Sequence, residues 1–120
     1  MSPVSTRQAA LDAAVRERSE ALFGQACKLE VLAAIAEVGG RAFTLSDLVR
    51  APQYRSRYHK VLADLCGAEL LDRLPKRGRD VPYVRVSSTL WQWAQEYVAS
   101  ISERVATADG GQLPSSGGTP

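Results

Sequence analysis

Tyr54-Arg55-Ser56-Arg57-Tyr58-His59-Lys60-Val61-Leu62-Ala63-Asp64-Leu65 is the stretch that decides the fold. Tyr58, Val61, Leu62 and Leu65 recur at the spacing of one helix face. Arg55, Ser56, Arg57, His59 and Lys60 fall on the other. A helix over about Gln53 to Ala68 therefore has an apolar side to seat it and a side rich in hydrogen-bond donors. Such a helix suits the major groove of B-DNA, which is wide enough to admit it. Arg55 and Arg57, near its start, are the candidates for base edges; Ser56, His59 and Lys60 suit phosphate or a single base. Tyr54 is open between a phosphate contact and a core filler behind the turn.

The neighbouring segments fit around that helix. Upstream, Thr44-Leu45-Ser46-Asp47 has the spacing of a capping box and opens a short helix over Leu45 to Arg50. Ala51-Pro52-Gln53 makes a turn, with Pro52 suited to the first turn of the next helix. Downstream, Leu70 to Leu74 and Tyr83 to Val86 read as hairpin strands with a longer, flexible connection, and Ala42-Phe43 can add a third small strand. The tip Lys76-Arg77-Gly78-Arg79 places Lys76, Arg77 and Arg79 where they can follow a DNA backbone or enter a minor groove.

Helices are expected over Thr6 to Phe23, Gln25 to Val38 (ended by Gly39-Gly40) and Ser88 to Ala106. The Gly-, Ser- and Pro-rich tail reads as disordered. This divides the chain into an N-terminal helix (1–24), a central region (25–87), a C-terminal helix (88–107) and a tail (108–120). The fold class is mainly α with a small β-hairpin.

The net charge of +2 over 120 residues is unevenly placed. Nine basic and four acidic residues fall between Arg50 and Arg85, while the rest of the chain is mildly acidic. That is the footprint of a surface meeting a polyanion; the competing reading is a solvated basic face. The two cysteines, Cys27 and Cys66, and the one histidine, His59, do not form a metal-ligand pattern. Both cysteines read as small buried residues, a thiol redox switch being the less favoured alternative. No Gly-rich phosphate loop or Ser/His/Asp arrangement stands out, so neither an enzyme nor a cofactor is expected. No apolar run is long enough for a membrane span, and Met1-Ser2-Pro3-Val4-Ser5 lacks the plan of a secretory signal, so a cytoplasmic protein is expected.

The order of elements resembles the winged helix-turn-helix regulators, most closely the ArsR-like proteins, with PadR- and MarR-like proteins as near relatives. The resemblance covers Gln25 to Ser87. It rests on Lys28-Leu29-Glu30-Val31-Leu32, Thr44 to Val49, Tyr58-His59-Lys60-Val61-Leu62 with Leu65, and Ala68-Glu69-Leu70-Leu71. Two departures stand out: Glu69 occupies a position where the family usually has Gly, and the turn at Pro52 is one residue shorter. The resemblance implies a homodimer built from both terminal helices. Candidate interface residues are Leu11, Val15 and Leu22 on the first, and Leu90, Trp91, Ala94, Tyr97, Val98 and Ile101 on the last. Two copies would read a partly palindromic operator in double-stranded DNA.

A dimeric, sequence-specific transcriptional regulator, most simply a repressor, is the leading expectation. Its rivals are a winged-helix module for protein contact and a non-specific, nucleoid-type DNA binder. No residue pattern identifies an effector.

Overall fold

The computed structural model describes residues 3–110, and the side chains of 7–107. Five helices and a two-stranded antiparallel sheet follow one another: α1 (Pro3–Phe23), α2 (Lys28–Val38), α3 (Leu45–Leu48), a 3-10 turn (Pro52–Tyr54), α4 (Arg55–Gly67), β1 (Leu71–Arg73), β2 (Tyr83–Arg85) and α5 (Thr89–Gly110).

Helix α2 is the most enclosed element. Leu29, Val31, Leu32 and Ile35 are essentially inaccessible because α1 and α5 cover two sides and α4 a third. Its N-terminus is satisfied from a distance. The Ser19 hydroxyl of α1 accepts the Leu29 N–H at 2.9 Å and donates to the Gln25 carbonyl at 2.6 Å. Ser19 is thus fully buried without an orphaned polar atom. Gly24, at φ +75°, ends α1 and turns the chain, so α2 begins at Lys28 instead of Gln25.

The Thr44–Asp47 box forms as expected: the Asp47 carboxylate accepts the Thr44 N–H at 2.8 Å. Helix α3 is shorter than the sequence suggests, stopping at Leu48 and not reaching Arg50. The cause lies ahead of it. Val49 is already extended (φ −77°, ψ 121°), and Ala51, which precedes proline, is held extended as well (φ −134°, ψ 130°), so the helix cannot run on to Pro52. Pro52 then opens a 3-10 turn that runs directly into α4.

Helix α4 ends in a Schellman motif. The Glu69 N–H donates to the Cys66 carbonyl at 3.0 Å and the Leu70 N–H to the Leu65 carbonyl at 2.9 Å. Glu69 is the sole non-glycine residue at positive φ among the described residues, at +65°. A left-handed conformation costs an L-residue roughly 1 to 2 kcal/mol, while glycine carries a smaller entropic cost of its own. The Glu69 side chain is exposed, so its removal sacrifices little packing. Glu69→Gly is therefore expected to stabilise the fold by about 0.5 to 1 kcal/mol, read as a higher urea midpoint at unchanged slope. A lower midpoint would contradict this account.

Leu71, Asp72 and Arg73 pair with Arg85, Val84 and Tyr83. Phe43 bridges Tyr83 on the other side, with N–H to carbonyl distances of 2.9 and 2.7 Å, so the expected third strand is reduced to a single isolated bridge. Leu74 stays in register with Pro82, but Arg77 pairs with Asp80. Pro75 and Lys76 thus stand opposite Val81 alone, which is a β-bulge. Gly78, at φ +60°, and Arg79 close a two-residue turn. The expected long, flexible connection is corrected by this: the hairpin is hydrogen-bonded out to its tip.

Helix α5 extends to Gly110, four residues past the expected end, and takes in 108–110 of the region read as tail. The remainder of that tail lies outside the described residues. Trp91, 2% exposed, is inside the core and its indole N–H donates to the Val86 carbonyl at 2.7 Å. Among the described residues no helix is long and apolar enough to cross a membrane.

Candidate nucleic-acid interface

The two faces of α4 divide as its sequence periodicity requires. Tyr58, Val61, Leu62 and Leu65 are at most 5% exposed, whereas Arg55, Ser56, Arg57, His59 and Lys60 are all exposed. At roughly 100° per residue, Ser56 and Lys60 lie near the middle of the outward face, with His59 beside them. Arg55 and Arg57 lie on opposite flanks. Arg55 leans toward α3, its guanidinium donating to the Ser46 hydroxyl at 3.3 Å. Arg57 leans toward the preceding turn, its Cζ 5.9 Å from the centre of the Tyr54 ring, and its guanidinium also reaches the Cys27 thiol. Lys60 is 3.6 Å from Asp64, one turn on, where the Gln25 amide and then Lys60 hold the carboxyl below its usual range.

The hairpin supplies a second basic element. Lys76, Arg77 and Arg79 are exposed and take part in no ion pair among the described residues. The bulge at Pro75-Lys76 twists the tip relative to the β1–β2 ladder. Arg73 is exposed on β1. Arg85 is different: it is half-buried and donates to the Ala36 carbonyl at 3.3 Å, holding the sheet to the end of α2.

Behind α4 lies a polar cluster that the sequence pattern did not signal. Arg16 of α1 makes a two-pronged pair with Glu30 of α2, at 2.8 and 3.3 Å. It also donates to the Tyr54 hydroxyl at 3.2 Å and lies 4.2 Å from that ring's centre. The Tyr58 hydroxyl donates to Glu30 from the other side. Burial, and then the Glu30 hydrogen bond and charge, push the Tyr58 hydroxyl well above its ordinary range. Tyr54, open between two roles in the sequence, is half-buried and engaged by α1. The hydrogen-bonded partners of this cluster are 14 to 38 positions apart along the chain, outside any periodic pattern.

Burial, reinforced by the Glu30 charge, also raises the Cys27 thiol, so it holds its proton in the core. Among the described residues no three His, Cys, Asp or Glu side chains come together as a metal cluster.

The residues read as dimer contacts separate into two groups. Val15, Trp91, Ala94 and Ile101 are at most 5% exposed within the single chain, where α1, α2 and α5 pack on one another. Their apolar faces are therefore already covered. Leu11, Leu90, Tyr97 and Val98 are partly accessible and Leu22 is 53% exposed. Beside Leu22, Phe23 meets Trp93 edge-on at 6.2 Å and Trp93 stacks on Tyr97 at 5.3 Å. Trp93, 39% exposed, stands off the main apolar stripe of α5, which is the one signal in the sequence for this surface.

No family model, curated protein or solved structure matches this chain.

Proposed function

We propose that the chain is a sequence-specific DNA-binding regulator of the winged helix-turn-helix type, acting as a repressor. One observation carries the reading: α4 buries every apolar residue of its seating face and exposes every donor of the other. With side chains an α-helix is about 10 to 12 Å across, the width of the B-DNA major groove. In this reading α4 enters that groove. Arg55 and Arg57, on its two flanks, address base edges on either side, and Ser56, His59 and Lys60 meet the floor or the phosphates. The short α3 and its turn brace α4 from behind. The bulged hairpin is the wing, and its basic tip tracks the neighbouring backbone. The bridge from Phe43 to β2, on the side away from β1, supports the winged arrangement.

A homodimer belongs to the same reading, because one such unit addresses few base pairs and two give a two-fold pair of half-sites. The surface left for it is the patch of exposed Leu22 and Trp93 with partly accessible Phe23 and Tyr97, together with the accessible edges of Leu11, Leu90 and Val98.

Selection of bound sequences from a random duplex pool tests the whole reading. A two-fold motif with half-sites about one helical turn apart is expected. Binding with a steep salt dependence but no motif would identify a non-specific binder. No salt-dependent binding would leave the protein-contact module as the better account.

A further inference from the structure

Tyr54 joins two arginines that belong to different parts of the molecule. Its ring centre lies 4.2 Å from the Arg16 guanidinium carbon and 5.9 Å from that of Arg57. Its hydroxyl accepts from Arg16 at 3.2 Å. Arg16 is itself fixed by its two-pronged pair with Glu30. A continuous chain of contacts thus runs from α2 through α1 and the Tyr54 ring to a side chain on the exposed flank of α4.

We propose that Tyr54, held by Arg16, is a positioning residue that orders the Arg57 guanidinium for base recognition and sets sequence discrimination. Resting as it does on the DNA-binding reading, the role has a physical basis of its own. A free arginine loses considerable rotamer freedom when it is fixed against a base edge. A cation–π contact with an aromatic ring, at 5.9 Å just inside its usual reach of about 6 Å, removes part of that freedom beforehand and favours fewer orientations of the planar fork. Discrimination depends on that orientation, because a two-pronged contact to a base tolerates little misplacement. Attraction to phosphate depends mainly on charge and tolerates much more. Loss of the ring should therefore reduce discrimination while leaving non-specific affinity nearly unchanged. Tyr54 then has no direct nucleic-acid contact to make; it acts through Arg57.

The test compares Tyr54→Leu, which removes the ring, with Tyr54→Phe, which keeps it and removes the hydroxyl. Both are checked for folding by thermal melting. Affinities are measured at matched salt for a selected duplex and a scrambled one. Tyr54→Leu is expected to lower the ratio of the two by about five- to ten-fold, the loss attributable to one side chain no longer pre-ordered. The salt slope should stay within about one unit of the parent's, and Tyr54→Phe should retain most of the ratio. In an Arg57→Ala background, Tyr54→Leu should cost no further discrimination, since the side chain it orders is gone. An unchanged ratio in Tyr54→Leu, or the same loss with and without Arg57, would overturn the proposal. A second readout needs no DNA. The Arg57 Nε–H heteronuclear NOE should be high in the parent and Tyr54→Phe, and reduced in Tyr54→Leu. If the parent prefers no duplex yet shows this ordering, the DNA-reading assignment fails while the positioning role survives. If Arg57 is equally mobile in all three proteins, the positioning role itself fails.

Discussion

Glu30→Ala is expected to lower the unfolding free energy by about 2 to 3 kcal/mol, with a melting temperature roughly 10 to 15 °C below the parent. Glu30 is 18% exposed and Arg16 is 27% exposed, so the pair is largely, though not completely, withdrawn from water. Removing the carboxylate leaves a guanidinium in that setting without its counter-charge and leaves the Tyr58 hydroxyl without its acceptor. The cost is mainly the desolvation of the groups left behind, more than any intrinsic strength of the pair. Residual water access keeps it below the range of fully buried pairs. Two companions separate these contributions. Glu30→Gln keeps an acceptor for Tyr58 and should lose less. Arg16→Met combined with Glu30→Met removes both charges and should recover much of the loss. A Glu30→Ala protein within about 0.5 kcal/mol of the parent in urea titration would show that water screens the cluster fully.

The same cluster gives the fold an alkaline limit. Tyr58 has its folded-state pKa raised above an ordinary value of about 10. Below that pH both folded and unfolded chains hold the proton, and its contribution is fully present. As pH rises further the unfolded chain releases the proton first, so stability falls. In Glu30→Ala the decline should be shallower. Burial, the largest cause of the shift, would persist, but the contribution of Glu30 would be gone.

The parts of this molecule that are legible in its sequence are those whose signal is periodic. The apolar register of Tyr58, Val61, Leu62 and Leu65 specifies both the existence and the orientation of α4. The Thr44–Asp47 cap is legible for a related reason, a fixed three-residue spacing between hydroxyl and carboxylate. Three features are not legible, each for a physical reason. The closed hairpin tip depends on a one-residue mismatch, Pro75 and Lys76 against Val81, which composition does not reveal. The Arg16–Glu30–Tyr54 cluster depends on where three separate helical elements meet in space. The stripes on α1 and α5 look alike whether they meet a second copy or their own chain. Burial of Val15, Trp91, Ala94 and Ile101 in the single chain leaves Leu22 and Trp93 as the exposed apolar residues at that end.

Arg55→Ala and Arg57→Ala are each expected to weaken binding to the selected duplex by about ten-fold to one hundred-fold, the range of one two-pronged arginine contact to guanine. Both side chains are exposed, and within the free protein Arg55 makes one exposed hydrogen bond and Arg57 a ring contact at 5.9 Å, so neither change should lower the melting temperature by more than a degree or two. The two effects should map to different base pairs, because the side chains leave α4 on opposite flanks. Reselection from a random pool reads this directly: each variant should relax the motif at its own position and retain it at the other. The hairpin gives the contrasting pattern. With Lys76, Arg77 and Arg79 all replaced by Ala, affinity should fall for selected and scrambled duplexes alike. The salt slope should then decrease by roughly two to three, about one unit for each phosphate no longer neutralised. If the arginine variants also weaken both duplexes equally, α4 is tracking the backbone and the chain binds DNA without reading it. If neither set changes binding at matched salt, the basic surface from Arg50 to Arg79 is a solvated face.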